Sequence, residues 1–210
     1  MDLLDRAIAA RAAPGQKGPE TWYRQRLSIA QQGNLVTPGI AAARALVGAY
    51  PTQENWRIAL VVYRQLGTFD EGFEVDLLRL MRQVGVFTQA AEYQRMAQLL
   101  KMSGEAAEAK AVLAEGIGRG LLDPGTSPTR EIIAEVDRAA AKLRSGGAAR
   151  PAQPDKAGAQ VRLGVSQLLA GRRGEAEAAF RAAATDALAG RYADLAFFWL
   201  ATLGQSGPAS

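Results

Sequence analysis

The sequence predicts an all-α protein built from antiparallel helix hairpins, on three observations. Ala, Leu, Arg, Glu and Gln dominate its 210 residues, and these residue types favour helix. Extended runs of β-branched and aromatic residues, which are typical of strands, are missing. The stretch from Lys156 to Ala183 places two amphipathic segments on either side of a tight turn at residues 171–174, which is the pattern of a helix hairpin. We therefore expect a helical core rather than a sheet.

Composition excludes several classes of function. The chain has no Cys and no His, which removes disulfides, thiolate nucleophiles, imidazole bases and most zinc sites. The net charge is +4, but most of the excess Arg lies at helical spacing from Glu or Asp. This spacing indicates solvated helix faces rather than a phosphate-binding stripe, so no nucleic-acid partner is expected. We expect no catalytic residues, no cofactor and no metal site.

The cellular compartment does not follow from the sequence. The absence of Cys fits the cytoplasm and, if a signal peptide was removed, the periplasm equally well. The start of the chain is unlike a secretory signal because Asp2 and Asp5 stand where basic residues are expected. The most apolar run, Leu195 to Leu203, is far shorter than the roughly 20 residues of a membrane-spanning helix.

The first elements are marked by caps and breakers. Residues 1–18 are predicted to form a short apolar helix followed by a linker rich in Pro and Gly. Trp22 opens the next helix, in which Leu27 and Ile29 are expected to face inward. Thr37, followed by Pro38, is expected to cap the start of the partner helix.

The middle of the chain repeats the same signals. A helix containing Trp56 and Tyr63 precedes a capping box predicted at Thr68 to Glu71. Thr88 is expected to cap a third such helix, in which Tyr93 takes the place of the earlier Trp residues. Its partner helix, with Ala109 and Leu113, is expected after a turn at Ser103 to Glu105. A further helix is expected from about Thr129 to Leu143 and has no obvious partner.

The C-terminal third begins with a linker candidate and ends with an apolar helix. Residues 145–155 include two Pro and two Gly and no large apolar side chain, so we expect a flexible linker. The last helix, from Tyr192 to Leu203, is apolar nearly all round. Two alternatives follow: the helix packs deep against the preceding hairpin, or it docks on another chain or on another part of a longer protein.

Several of these residues resemble a known repeat family. Leu163 and Gly164 pair a large residue with a gap, and Ala176 and Phe180 share one helix face. The two Trp residues in the first half stand 34 residues apart, at positions 22 and 56, and 34 residues is the period of the tetratricopeptide repeat. The chain thus resembles bacterial helical-repeat proteins of the tetratricopeptide type.

The resemblance implies a right-handed superhelix with a concave groove. Residues 19–144 would hold most of the repeats, residues 156–204 a C-terminal hairpin with the terminal helix, and residues 205–210 a tail. First helices line the groove in this family, so the resemblance implies that partner-binding side chains lie on these helices. Those candidates are Tyr23, Arg57, Val61, Arg64, Gln94, Gln98 and Lys101.

The expected function is a non-enzymatic scaffold or adaptor that binds a peptide or partner protein in this groove. Arg57, Arg64 and Lys101 would bind carboxylates or peptide carbonyls. One alternative is homo-oligomerisation, such as a homodimer, through an assembly face on the terminal helix, consisting of Phe197, Phe198, Trp199 and Leu203. Another alternative is a carrier that encloses an apolar ligand between repeats.

Overall fold

The computed structural model describes residues 6–8, 10, 17–144 and 156–205, and all regular structure in that part of the chain is helical. This confirms the all-α prediction. The helices that form the fold are α1 (Glu20–Gln32), α2 (Val36–Ala49), α3 (Gln53–Leu66), α4 (Glu71–Gln83), α5 (Ala90–Met102), α6 (Ala106–Gly118), α7 (Ser127–Arg144), α8 (Lys156–Leu169), α9 (Arg173–Thr185) and α10 (Arg191–Gln205).

The helices belong to two compact units. The first unit contains α1, α2 and α3, the segment 83–86, and α8, α9 and α10. The second contains α4 up to residue 82, followed by α5, α6 and α7. The first unit therefore unites helices from the two ends of the sequence. The predicted linker at 145–155 and most of the predicted N-terminal helix and C-terminal tail lie outside the described residues.

The first three helices of the first unit stack on one another. α1 packs on α2 and α3, and α2 also packs on α3. Gln31 on α1 donates from Nε2 to Oε1 of Gln65 on α3 at 2.6 Å, and the two residues are 34 positions apart. Asn55 is fully buried, and its Nδ2 donates to a carboxylate oxygen of Glu20 at 2.9 Å and to the carbonyl of Tyr50 at 2.8 Å. These contacts fix α3 against α1 and the end of α2.

The hairpin of α8 and α9 closes around Gly164. A Cβ atom built on this glycine would stand 2.5 Å from Cε1 of Phe180, so only a hydrogen atom fits there. Phe180 and Ala176 are fully buried, as their spacing predicted. The ring of Phe180 stacks on Trp199 of α10 with ring centroids 5.4 Å apart. The pairing of a small and a large residue that the sequence indicated is therefore a direct packing contact.

The terminal helix α10 is buried within the first unit. It packs on α8 and α9 and also on α2. Phe198 has no exposed surface and meets the rings of Trp56 and Tyr63 edge to face at centroid distances of 6.1 and 5.4 Å. Arg44 on α2 donates to the Asp194 carboxylate at 3.2 Å, across 150 residues of sequence. The helix thus packs deep against its own chain, which is the first of the two alternatives.

In the second unit, α7 has the partners that its sequence did not reveal. It packs on both α5 and α6, and α5 packs on α6. Ile132 and Val136 of α7 are buried in this contact, at 7% and 0% exposure. The three helices therefore repeat the arrangement of α1, α2 and α3, in which each helix packs on the next and the first also packs on the third.

A cluster of charged side chains, which we call the Arg79 cluster, joins α4 to α6. Arg79 donates to Asp76 at 2.9 Å and to Glu108 at 3.0 Å, and it also pairs with Glu105. The side chain of Arg79 is 13% exposed and that of Asp76 only 2%. One guanidinium therefore neutralises part of the charge of three carboxylates in a largely buried position.

Four predicted helix starts are corrected by one or two residues, beginning with those of α2 and α4. α2 begins at Val36, so Thr37 lies inside the first turn rather than at its cap. The cap of α4 is Asp70, not Thr68, because Oδ1 of Asp70 accepts the N–H of Phe73 at 2.9 Å. A carboxylate is a stronger acceptor for these orphan N–H groups than a hydroxyl, which explains the shift.

The start of α5 and the inward face of α1 also differ from prediction. Gln89, not Thr88, precedes the first turn of α5, and Glu92 accepts the backbone N–H of both residues at 2.9 and 2.6 Å. α7 starts at Ser127, two residues earlier than predicted. Ile29 is 37% exposed rather than inward, because it lies off the face of α1 that buries Leu27.

Candidate functional site

A cleft opens in the first unit where α8, α9 and α10 meet the start of α3. Its inner part is a cavity of about 290 Å³, which we call the Trp56 cavity. Residues from both ends of the sequence line it: Pro51, Gln53, Trp56, Gln83, Val84, Leu168, Arg173, Thr202 and Leu203. The wall of the cavity is thus mixed, with apolar side chains beside the polar Gln53, Gln83 and Thr202 and the cationic Arg173.

The outer part of the cleft is a groove between α9 and α10 of about 460 Å³, which we call the α9–α10 groove. Arg173 and Leu203 line the groove as well as the cavity, so the two spaces share a wall. Its remaining lining residues are Glu177, Arg181, Leu200 and Gly204. The cleft therefore runs from the side of α9 inward to the start of α3.

Local structure explains how these side chains reach the cleft. Thr52 caps α3, since its Oγ1 accepts the N–H of Asn55 at 3.2 Å, and Trp56 then lies in the first turn. Gly171 takes a left-handed φ of 75° in the turn before α9, which is a conformation that glycine adopts without strain. Arg173 begins α9 directly after that turn. Two helix starts thus place the indole and the guanidinium at the same cleft.

The electrostatics of the cleft centre on Arg173. Its Nη2 donates to the carbonyl of Leu203, in the last turn of α10, where helix carbonyls lack helical donors. No carboxylate pairs with Arg173 among the described residues. Arg181, by contrast, is paired with Glu177 at 2.6 Å. A guanidinium has five N–H donors, so Arg173 retains donors for an anion.

The indole of Trp56 also has an incomplete set of hydrogen bonds. Trp56 is 2% exposed, and its Nε1 atom is buried without an acceptor in the described part of the chain. A buried N–H without an acceptor is unfavourable, and native structures hold few of them. This donor lies on a residue that lines the cavity.

The groove candidates that belong to the first unit are partly covered. Tyr23 is 8% exposed and packs edge to face on Tyr50 at a centroid distance of 5.6 Å. Val61 and Arg64 are half-buried on α3. Arg57 donates from Nη1 to the carbonyl of Val86 at 2.5 Å. Tyr23 thus acts as a packing residue, whereas the two arginines keep partial contact with solvent.

The other three candidates belong to the second unit, where α7 covers part of their face. Gln94 donates to Oγ1 of Thr129 at 3.2 Å, and Lys101 pairs with Glu135. Lys101 holds the pKa of the Glu135 carboxyl below its usual range. Gln98 alone of the three is exposed. The polar groups of Gln94 and Lys101 are therefore used within the chain.

The predicted assembly face is largely buried within the first unit. Phe198 and Trp199 are 0% and 2% exposed, and Leu203 is 6% exposed and lines the cleft. Phe197 remains half-buried, with the guanidinium carbon of Arg44 at 4.2 Å from its ring centroid. Assembly through this face would require α10 to detach from the helices of its own chain on which it packs. It stays an untested prediction.

Sequence interpretation missed most of the cleft. Arg173, Gln53 and Val84 carry no local signal of a shared site. They come together because α10 packs on α2 and on the aromatic rings of α3, and no pattern in the sequence indicated that contact.

Among the described residues, none of the helices combines the length and the apolar character that crossing a membrane requires. In the same part of the chain, no group of three or more acidic side chains is placed to hold a metal ion. Comparison with known proteins adds no relative: no family model, no curated protein and no solved structure matches the chain significantly.

Proposed function

We propose that the chain is a non-enzymatic protein-binding scaffold, in which stacked helix hairpins of the tetratricopeptide type present a groove to a peptide or partner protein. The supporting observation is a contact between first helices that occurs in both units. Gln31 bonds to Gln65 in the first unit and Lys101 to Glu135 in the second, and both pairs are 34 residues apart. Stacked repeats create such contacts because each repeat touches its neighbour.

The proposed scaffold is a right-handed superhelix, whose concave side is lined by first helices. The side chains best suited to bind in the first unit are Arg57 and Arg64 on α3. The guanidinium of Arg57 already reaches a backbone carbonyl, that of Val86. An extended peptide presents the same acceptor, in addition to any carboxylate that it carries.

The test is affinity capture with a matched control. Wild-type chain, Arg57→Glu/Arg64→Glu and Arg130→Glu/Arg138→Glu are immobilised and exposed to a whole-cell extract of the source organism, and bound proteins are identified by mass spectrometry. Both double variants change the net charge by the same amount, but Arg130 and Arg138 are exposed on α7. Circular dichroism establishes that all three chains are folded.

We expect proteins that the wild type and the α7 control retain and that the α3 variant loses. Partner sets that are identical for all three chains would refute the placement of the groove on α3. A wild-type chain that retains nothing above bare resin would refute the scaffold function itself.

A further inference from the structure

The turn between α1 and α2 lies in the longest stretch of the sequence that has no charged residue. Residues 27–43 contain no Asp, Glu, Lys or Arg, although these four types make up 22% of the chain. A shorter uncharged stretch, residues 65–69, covers the end of α3 and the loop after it. The two stretches lie side by side, since Gln31 donates to Gln65 at 2.6 Å. We call the surface that residues 27–43 and 65–69 expose together the neutral patch.

The neutral patch is exposed, unlike the other long uncharged stretch of the chain. The C-terminal stretch after Asp194 is also free of charge, but most of the large apolar side chains of α10 are buried. In the neutral patch, by contrast, residues 31–37 are all exposed. Ile29, Leu35 and Val36 have 37%, 42% and 44% of their surface exposed. Apolar side chains are therefore left in water at the end of the first hairpin.

The apolar side chains of the patch come from both sides of the turn. The N–H of Leu35 donates to the carbonyl of Ala30 at 2.8 Å, which folds the turn back on the end of α1. A Cβ built on Gly33 would lie 3.2 Å from Cγ of Leu35 and 3.3 Å from the carbonyl oxygen of Ile29. Leu35 and Ile29 thus both adjoin Gly33, and Val36 follows directly in the chain. Exposed apolar side chains that lie together mark interaction sites more often than scattered ones do.

We propose that the neutral patch is the interface of a homodimer, in which the patch of one chain packs on the same patch of a second copy. The inference goes beyond the proposed scaffold function, since it assigns another surface of the first unit and a partner of defined chemistry. It also differs from assembly through α10, because most of the large apolar side chains of α10 are already buried within the first unit.

The hydrogen-bonding groups of the patch favour a second copy as the partner. Four of its exposed side chains are amides, namely Gln31, Gln32, Asn34 and Gln65. An amide both donates and accepts, so it pairs with an identical amide, whereas Lys and Arg only donate and ionised Asp and Glu only accept. Gln31 and Gln65 already form an amide pair within the chain. The polar groups of the patch are therefore complementary to themselves.

The absence of charge gives the same preference. In a dimer with twofold symmetry the same surface faces itself, so charged side chains in its centre meet charges of the same sign. The chain carries a net charge of +4, and the neutral patch lets two copies meet without this repulsion. A nucleic acid, an acidic peptide or an anionic membrane surface would require cations, and residues 27–43 and 65–69 provide none.

The size of the patch indicates the strength of the dimer. Charged residues bound both stretches in the sequence: Arg26 and Arg44 bound the longer one, and Arg64 and Asp70 the shorter one. An uncharged centre within a charged rim is the ordinary composition of a protein interface. The exposed residues of the patch are fewer than the roughly 20–30 that each partner contributes to a standard interface. We therefore expect a weak dimer that dissociates on dilution.

The test measures the oligomeric state by sedimentation velocity, over protein concentrations from the low to the high micromolar range. Leu35→Glu/Val36→Glu and Leu35→Lys/Val36→Lys each place charges of one sign on the patch. Leu169→Glu/Leu188→Glu is the matched control, because it makes a similar change at two leucines outside the patch that are 78% and 93% exposed. Thermal unfolding followed by circular dichroism establishes that all variants are folded.

We expect the wild type and the control to show the same concentration-dependent equilibrium between monomer and dimer. Each patch variant alone should raise the Kd of the dimer by about tenfold or more, because like charges of the two copies then face each other. An equal mixture of the Glu and Lys patch variants should associate again, with a Kd within about threefold of the wild-type value, because opposite charges then meet. This rescue requires that the two patches face each other.

A wild type that sediments as a monomer at every concentration would overturn the inference. A dimer that both patch variants retain would do so as well, because it must use another face. A mixture of the Glu and Lys variants that stays monomeric would show that the patch meets a different surface. None of these results depends on the proteins captured by the wild type or by Arg57→Glu/Arg64→Glu, so the failure of one proposal is distinguishable from the failure of the other.

Discussion

Replacing Gly164 by Ala tests the packing of the α8–α9 hairpin directly. The added Cβ would lie 2.5, 2.7 and 2.8 Å from three carbons of the Phe180 ring, whereas ordinary contacts begin near 3.4 Å. The ring has little room to retreat because it is fully buried and stacks on Trp199, with an angle of 6° between the ring planes. The two elements must therefore separate by close to an ångström at this point.

Two opposing effects determine the size of the change. Overpacking a core costs about 1–3 kcal/mol of unfolding free energy. Exchange of Gly for Ala inside a helix returns about 0.5–1 kcal/mol through lower backbone entropy in the unfolded chain. We expect Gly164→Ala to be destabilised by about 1–2 kcal/mol. For a protein of this size, that loss lowers Tm by about 2–8 °C.

The assay is equilibrium unfolding in urea, followed by circular dichroism, with two companion variants. Gly174→Ala lies in the same hairpin, and its added Cβ meets nothing within 4 Å, so it should lose no stability. Gly164→Ala/Phe180→Leu should be more stable than the sum of the single changes predicts, since the smaller side chain relieves the clash. The reasoning is refuted if Gly164→Ala is as stable as Gly174→Ala.

Three further changes separate buried from exposed charges. Arg79→Met should cost about 3 kcal/mol of unfolding free energy at pH 7, because it leaves the acidic partners of the Arg79 cluster unpaired. The cost should be smaller at acidic pH, where carboxylates protonate. A loss below about 1 kcal/mol in urea unfolding at pH 7 would contradict this. Lys101→Met should cost less than about 1 kcal/mol of unfolding free energy, since its partner Glu135 is 43% exposed. A loss above about 2 kcal/mol would contradict this and show that the ion pair is needed to hold α7 in place. Burial raises the pKa of Asp194, so the carboxyl favours the folded state while it is protonated, and that stability is lost as pH rises through the raised pKa. Asp194→Asn should remove this part of the pH dependence and be no less stable than the wild type at pH 7, and thermal melts between pH 3 and 8 would detect the opposite result.

The sequence predicted the local structure better than the long-range contacts. The all-α class and the contact of Phe180 with Gly164 follow from residue type and helical spacing, and both are local properties. The starts of α4 and α5 were misplaced because several polar residues near each start compete to accept the same N–H groups, whereas α2 begins after Leu35 without a side-chain cap. The period of 34 residues was visible in two Trp residues, and the contact between Gln31 and Gln65 has the same separation.

The cleft was beyond sequence interpretation for a physical reason. Its wall combines Trp56 from α3 with Leu168 and Leu203, which lie more than a hundred positions later in the chain. The sequence shows that α10 is apolar nearly all round, but it does not indicate which distant helices cover it. The apolar character of α10 was therefore compatible both with burial in its own chain and with assembly, and it is the contacts of α10 with α2, α3, α8 and α9 that distinguish them.

The packing of α10 against α2 and α3 has a consequence for the order of events during synthesis. Arg44 leaves the ribosome 150 residues before its partner Asp194, a delay of roughly 8–30 s at ordinary elongation rates. During that interval the aromatic surface around Trp56 and Tyr63 lacks its cover. The nascent chain thus exposes apolar surface for seconds. We expect the slowest folding step to be the packing of α10 on α2 and α3, which are synthesised much earlier. Chaperone dependence would be a natural outcome of this topology.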